Sequence, residues 1–137
     1  MVDILVVEDD EVFSQLLAMH LEDLGHKPTV AHSLDQARSF LQKNTPDAIL
    51  LDQQLPDGYG LDLLKEIKAD TDPPPVIMVT GVSDNALVIQ AMKAGAYDFV
   101  RKPMDEVELD TTLNNALRNH QLSRKVKTIR LTMDKKV

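Results

Sequence analysis

The stretch AILLDQQLPDGYG, residues 48–60, runs four apolar residues straight into a carboxylate and then turns the chain at Pro56, Asp57 and Gly58. Four consecutive aliphatic residues suit a strand buried on both faces, the kind found in parallel sheets covered by helices. A buried strand that stops on an unpaired charge is costly, so Asp52 belongs at the rim of such a sheet, facing water or a counter-ion.

Similar runs recur. Ile4-Leu5-Val6-Val7 and Val76-Ile77-Met78-Val79 read as strands, with weaker ones at Pro28-Thr29-Val30-Ala31 and Tyr97-Asp98-Phe99-Val100. Helical periodicity fills the gaps. The first helix spans about Glu11 to Leu24, with Phe13, Leu16, Leu17, Leu21 and Leu24 as its buried stripe and Gly25 as its stop. The second opens on the capping box Ser33-Leu34-Asp35-Gln36 and turns Leu34, Ala37 and Leu41 inward. The third uses Leu61, Leu64 and Ile67, the fourth Leu87, Ala91 and Met92, and the fifth Leu109, Leu113, Ala116 and Leu117. Alternating strands and helices with right-handed crossovers predict an α/β fold, a doubly wound five-stranded parallel sheet in the order 2-1-3-4-5 with five helices. That order puts the site at the carboxyl ends of the first and third strands, where Glu8-Asp9-Asp10 and Asp52 fall.

Composition narrows the chemistry. With 137 residues and 43% hydrophobic content the chain has the size of one domain, and without cysteine it has no disulfide, thiolate metal site or thiol nucleophile. The opening run Asp3 to Val7 is neither a basic signal peptide nor long enough to span a bilayer, so the expected setting is cytoplasmic, with no membrane partner. The net charge of −7 is uneven: residues 1–117 hold 21 acids and 8 bases, residues 118–137 only 1 acid against 7 bases. The acidic body therefore excludes direct nucleic-acid binding, and the basic tail does not.

Carboxylates gathered in one crevice repel by roughly 4 kcal/mol per pair at about 4 Å and an effective dielectric near 20, so they hold either protons or a cation. Mg²⁺ suits such oxygen donors, and a carboxylate beside it can attack phosphorus to give an aspartyl phosphate. Thr80 and Lys102, at the ends of the fourth and fifth strands, add a hydroxyl donor and an ammonium. His20, His26, His32 and His120 show no metal-ligand spacing and read as surface or structural residues.

Four stretches, LVVEDD at 5–10, ILLDQQLPDGYG at 49–60, VIMVTG at 76–81 and MKAGAYDFVRKP at 92–103, occur in order with the spacings of one family. The chain resembles the receiver domain of two-component response regulators, a flavodoxin-like fold, from Asp3 to about Leu122. The resemblance implies that Asp52 is the phosphoacceptor. It further implies that Asp9 is the direct Mg²⁺ ligand, Glu8 a water-mediated one and the backbone carbonyl of Gln54 a third contact. Asp10 is a second choice, because the 43 positions from Asp9 to Asp52 fit the family's spacing better. Thr80 and Phe99 are expected to form a switch pair and Lys102 to contact the phosphoryl group, with the Lys102–Pro103 bond cis. The implied partner is a sensor histidine kinase or a histidine phosphotransfer protein. A homodimer through the fourth helix, fifth strand and fifth helix is a further expectation of the resemblance.

Two other readings stand beside this one. A strand-end Asp phosphatase of the haloacid-dehalogenase type wants Asp-x-Asp, and Asp52-Gln53-Gln54 lacks its general acid. A receiver that binds partners without phosphorylation wants a missing site residue, and none is missing. Residues 1–122 are read as the receiver and residues 123–137 as a basic helical extension, linker or tail, with Leu122, Val126, Ile129 and Met133 spaced like an amphipathic helix leading to a C-terminal output domain. The stretch YDFVRKP points faintly to transcription activators as the output class. Gln54 and Val82, two residues past the acceptor and two past Thr80, are expected to set the lifetime of the phosphorylated state.

Overall fold

A computed structural model describes residues 2–81 and 84–135, with side chains described to residue 123. Val82, one of the two expected lifetime residues, lies outside the described residues, as do the side chains of Val126, Ile129 and Met133. Strands β1 (Asp3–Val7), β2 (Lys27–Ala31), β3 (Ala48–Leu51), β6 (Val76–Thr80) and β7 (Asp98–Arg101) form one parallel sheet in the order β2-β1-β3-β6-β7. This is the predicted 2-1-3-4-5 order. It is interrupted in sequence by a hairpin that periodicity did not announce, β4 (Gln54–Leu55) paired antiparallel with β5 (Gly58–Tyr59).

The period-two alternation of a strand divides the core. Leu5, Val7, Ile49, Leu51 and Met78 face one side, packed with Leu34 and Ala37 of α2 (Leu34–Lys43), Leu64 and Ile67 of α3 (Gly60–Lys68) and Ala91 of α4 (Asn85–Lys93). Ile4, Val6, Leu50, Ile77 and Val79 face the other, against Leu17 and Leu21 of α1 (Glu11–Asp23) and Leu109, Leu113 and Ala116 of α5 (Glu106–Lys135). Burying each large aliphatic side chain contributes about 1.5–3 kcal/mol, so the central strands are the rigid frame to which the rim residues are attached.

Three expected core positions are corrected. Leu16, Leu24 and Met92 are 60%, 45% and 44% exposed. In α1 the inward stripe is Ser14, Leu17 and Leu21, while Val12, Leu16 and Met19 form a second apolar stripe that faces outward. Two stripes on one helix share the same periodicity, which therefore identifies the helix without choosing its buried face. The capping box of α2 also differs in detail. Ser33 Oγ accepts from Gln36 N at 3.1 Å as expected, but Gln36 Oε1 returns to His32 N at 2.7 Å, one residue early. Gly25 follows the C-cap of α1 with φ +88°, the conformation anticipated for a helix stop.

Candidate functional site

Parallel register delivers the rim residues to one place. Val7 pairs with Leu51, and Asp52 N donates to Val7 O at 3.0 Å, so Glu8 and Asp52 emerge side by side just beyond their strands. Thr80 closes β6 opposite Arg101 of β7, and Lys102 N donates to Thr80 O at 3.0 Å, which carries Lys102 to the same rim. The Lys102–Pro103 peptide is cis, as the resemblance implied.

The side chains converge as their backbones do. Carboxylate oxygens of Glu8, Asp9 and Asp52 lie within 4.8 Å of one another, with Glu8 and Asp52 buried and Asp9 exposed. The Lys102 ammonium donates to Glu8 Oε1 and, at 3.2 Å, to Asp52 Oδ2. It also lies 4.4 Å above the centre of the Phe13 ring, a cation–π contact that sequence reasoning did not foresee. Asp52 Oδ1 accepts from Gln53 N at 2.7 Å. Both carboxylate oxygens of Asp52 are thus oriented by neighbours, and the open side of the carboxylate cluster is the one that Asp9 leads to solvent.

The electrostatics follow from burial. Desolvation pushes Glu8 up to about 7, against the pull of Lys102 and of the Asp10 amide, which donates to Glu8 Oε2 at 3.2 Å; the charge of Asp52 adds to the rise. Burial pulls the Lys102 ammonium down, but Glu8 and Asp52 together outweigh it and hold it above its ordinary value. Below pH 4.5 both the folded and unfolded chains keep the Glu8 proton; between 4.5 and about 7 only the folded chain does, so its stability falls as pH rises through that window. Thermal melting in a chelator from about pH 5 to 8 is expected to show this loss in the parent and not in Glu8→Gln; parallel curves for the two would contradict it.

Asp10, the second choice as a ligand, is not in the cluster. It is the N-cap of α1, its Oδ1 accepting from Phe13 N at 3.0 Å, which is the ordinary use of an Asp before a helix. Gln54 opens the hairpin and is exposed; Phe99 is half-buried against the core on the α2–α4 side, one residue along β7 from the buried Val100. Three residues near the site carry roles that the sequence reading missed. His32 Nδ1 donates to the Glu8 backbone carbonyl at 3.0 Å, which fixes that tautomer and ties the site's acidic loop to the end of β2. Gln53, the residue after Asp52, accepts from Leu61 N at 2.8 Å through Oε1 and so caps α3. Gly60 fits so closely against Asp52 that a Cβ there would stand 2.1 Å from the Asp52 carbonyl oxygen. The groove of about 260 Å³ lined by Arg38, Leu63, Glu66 and Ile67 shares no residue with this cluster.

Three hard oxygen donors beside a lysine, at the carboxyl edge of a doubly wound sheet, match one known arrangement. The response regulator receiver domain family matches residues 4–114. The chain belongs to that family. Response regulator protein PilR of Pseudomonas aeruginosa is 37% identical over 114 residues, covering 83% of this chain and 26% of PilR. NtrX from Brucella abortus, solved in complex with ADP, has a TM-score of 0.86 at 35% identity, covering 94% of this chain and 29% of that one. The BeF3-activated N-terminal receiver domain of RstA from Klebsiella pneumoniae has a TM-score of 0.80 at 27% identity, covering 85% of this chain and 98% of that one. The chain thus spans about a quarter of the length of PilR and nearly all of an isolated receiver. It is a receiver domain of the two-component type, homologous to receivers of transcriptional regulators. No helix among the described residues is long and apolar enough to cross a membrane.

Proposed function

We propose that this receiver accepts a phosphoryl group on Asp52 from a phosphohistidine of a sensor kinase or phosphotransfer protein. The observation that supports this best is the Lys102 ammonium held between Glu8 and Asp52, with Asp9 completing an oxygen cluster that suits Mg²⁺. Asp9 and Asp52 would hold the ion directly, Glu8 through water, and Gln54 through its backbone carbonyl. Bound Mg²⁺ supplies positive charge for the phosphoryl oxygens.

An Asp52 carboxylate oxygen attacks phosphorus in line, the P–N bond breaks, and the departing imidazole keeps the bonding pair and takes up a proton. Lys102 turns from the carboxylates to a phosphoryl oxygen, and Thr80, at the end of β6, donates its hydroxyl to another. Positioning and charge neutralisation carry most of the rate, since this transfer needs little covalent help. The inward pull on Thr80 lets Phe99 follow, and the surface of α4, β7 and α5 changes with it. The protein acts as a switch that catalyses only its own modification and its slow reversal. Residues 123–135 continue α5 toward an output domain or partner, with the surface of α4, β7 and α5 as the place for a homodimer. Its setting is the cytoplasm.

Incubation with acetyl phosphate and Mg²⁺ tests the reading. The expected result is a mass gain of one phosphoryl group, mapped to the peptide holding Asp52. Continuous turnover of many phosphoesters would favour the phosphatase, and no gain would favour a receiver that binds partners without modification. The lifetime of the product is expected to depend on Gln54, whose long side chain screens the phosphoryl group, and on Val82, which offers no group to orient water. Gln54→Asn and Val82→Glu should each speed the first-order loss of phosphate after donor removal, in excess Mg²⁺ at fixed pH. Unchanged or slower loss in both would exclude water positioning by these two side chains.

A further inference from the structure

One side chain hydrogen-bonds the β4–β5 hairpin to α2. Asp57, in the turn, accepts from Leu34 N at 2.8 Å through Oδ1 and from Asp35 N at 2.9 Å through Oδ2. With Ser33 Oγ on Gln36 N, the first three amides of α2 are all satisfied, two of them by a residue far along the chain. A carboxylate spanning two amides at a helix N-terminus is favoured by charge-assisted bonding and by the helix dipole. Those two bonds hold the Asp57 carboxyl below the usual carboxylate range although it is exposed.

The helix is the fixed partner in this arrangement. Leu34 and Ala37 are 2% and 0% exposed and lock α2 into the core, whereas a hairpin with two residues per strand cannot hold its own shape. A second contact closes the same joint: Gly58, at φ +149°, lies so close over Leu34 that a Cβ would stand 2.8 Å from its Cδ1. The strand that this joint holds is β4, and its first residue is Gln54.

We infer that Asp57 is a positioning residue for the cation site, holding the hairpin from α2 so that the Gln54 carbonyl stays where a divalent cation needs it. This rests on the cation site proposed above. Asp57 touches neither cation nor phosphoryl group; it acts through Gln54. The effect is on affinity for the ion, and at saturating ion the acceptor chemistry is unaltered.

The test is calorimetric titration of the chain with Mg²⁺, joined to amide hydrogen exchange. Asp57→Ala should weaken Mg²⁺ binding about tenfold, the lower end of what removing a ligand's supporting contact costs. It should also speed exchange at the Leu34 and Asp35 amides. Asp57→Asn, which keeps one acceptor oxygen, should fall between it and the parent and supplies the measurement if the alanine variant folds poorly. Ser33→Ala removes a comparable cap from the same helix without touching the hairpin and should leave Mg²⁺ affinity unchanged. At saturating Mg²⁺, phosphorylation of Asp57→Ala by acetyl phosphate should match the parent. Equal affinity in parent and Asp57→Ala overturns the inference and leaves the cation site standing, as does equal weakening by Ser33→Ala. A parent that binds no Mg²⁺ overturns both.

Discussion

The Asp52→Asn chain is expected to take up no phosphate from acetyl phosphate and Mg²⁺, and to remain folded. The substitution keeps the volume of the side chain and an oxygen able to accept from Gln53 N, the bond that spans 2.7 Å in the parent. It removes the proposed nucleophile, because an amide nitrogen or oxygen does not displace a leaving group from phosphorus as a carboxylate does. Lys102 keeps its bond to Glu8, so no buried cation is stranded. A second signature distinguishes this from damage to the fold: the Asp52 charge is one cause of the raised Glu8 value, so its removal should move the Glu8 titration toward lower pH. Intact mass spectrometry reads the first effect and pH-dependent melting the second. Stoichiometric phosphate on Asp52→Asn would sink the acceptor assignment.

Gly60→Ala should cost more than about 3 kcal/mol, at the upper end of what overpacking does to a core. The new Cβ would meet the Asp52 carbonyl oxygen at 2.1 Å and its carbon at 3.0 Å, and both are backbone atoms, which cannot rotate away as a side chain can. Relief requires α3 to lift from β3, and Gly60 N donates to Gln53 O at 2.8 Å in the same joint. Gly25→Ala is the comparison. Its φ of +88° makes alanine unfavourable by about 1–2 kcal/mol, but nothing stands within 4 Å of the new atom. Urea denaturation should rank Gly60→Ala well below Gly25→Ala; equal midpoints would mean that the loop after Asp52 yields where its packing says it cannot.

These two sites also mark what the sequence could and could not disclose. Strand order, the two-sided core and the convergence of Glu8, Asp9, Asp52 and Lys102 were legible because each depends on a repeating pattern or on strand-end position, which a sequence carries directly. Leu16 was misplaced because α1 has two apolar stripes and only packing chooses between them. Asp10 was ambiguous because three adjacent acids can share roles, and the cap geometry separates them. The closeness of Gly60, the bonds of Asp57 to α2 and the stacking of Lys102 over Phe13 all join segments distant in sequence. No local pattern encodes such a meeting, although the glycine one residue before the α3 hydrophobic run was visible in the opening stretch.

Lys102 gives the site a cation of its own. With its ammonium between Glu8 and Asp52 and its charge over Phe13, the charge of the two buried carboxylates is already partly offset from within the fold. At the proposed cation site, uptake of a metal ion would therefore be an exchange of one cation for another, its net free energy a difference between two favourable arrangements. Such exchange would give modest affinity and ready release, and the tether of Lys102 to β7 would keep the displaced charge at hand. The domain thus carries a built-in placeholder that holds its acidic pocket together and would be freed for new use on the arrival of an ion.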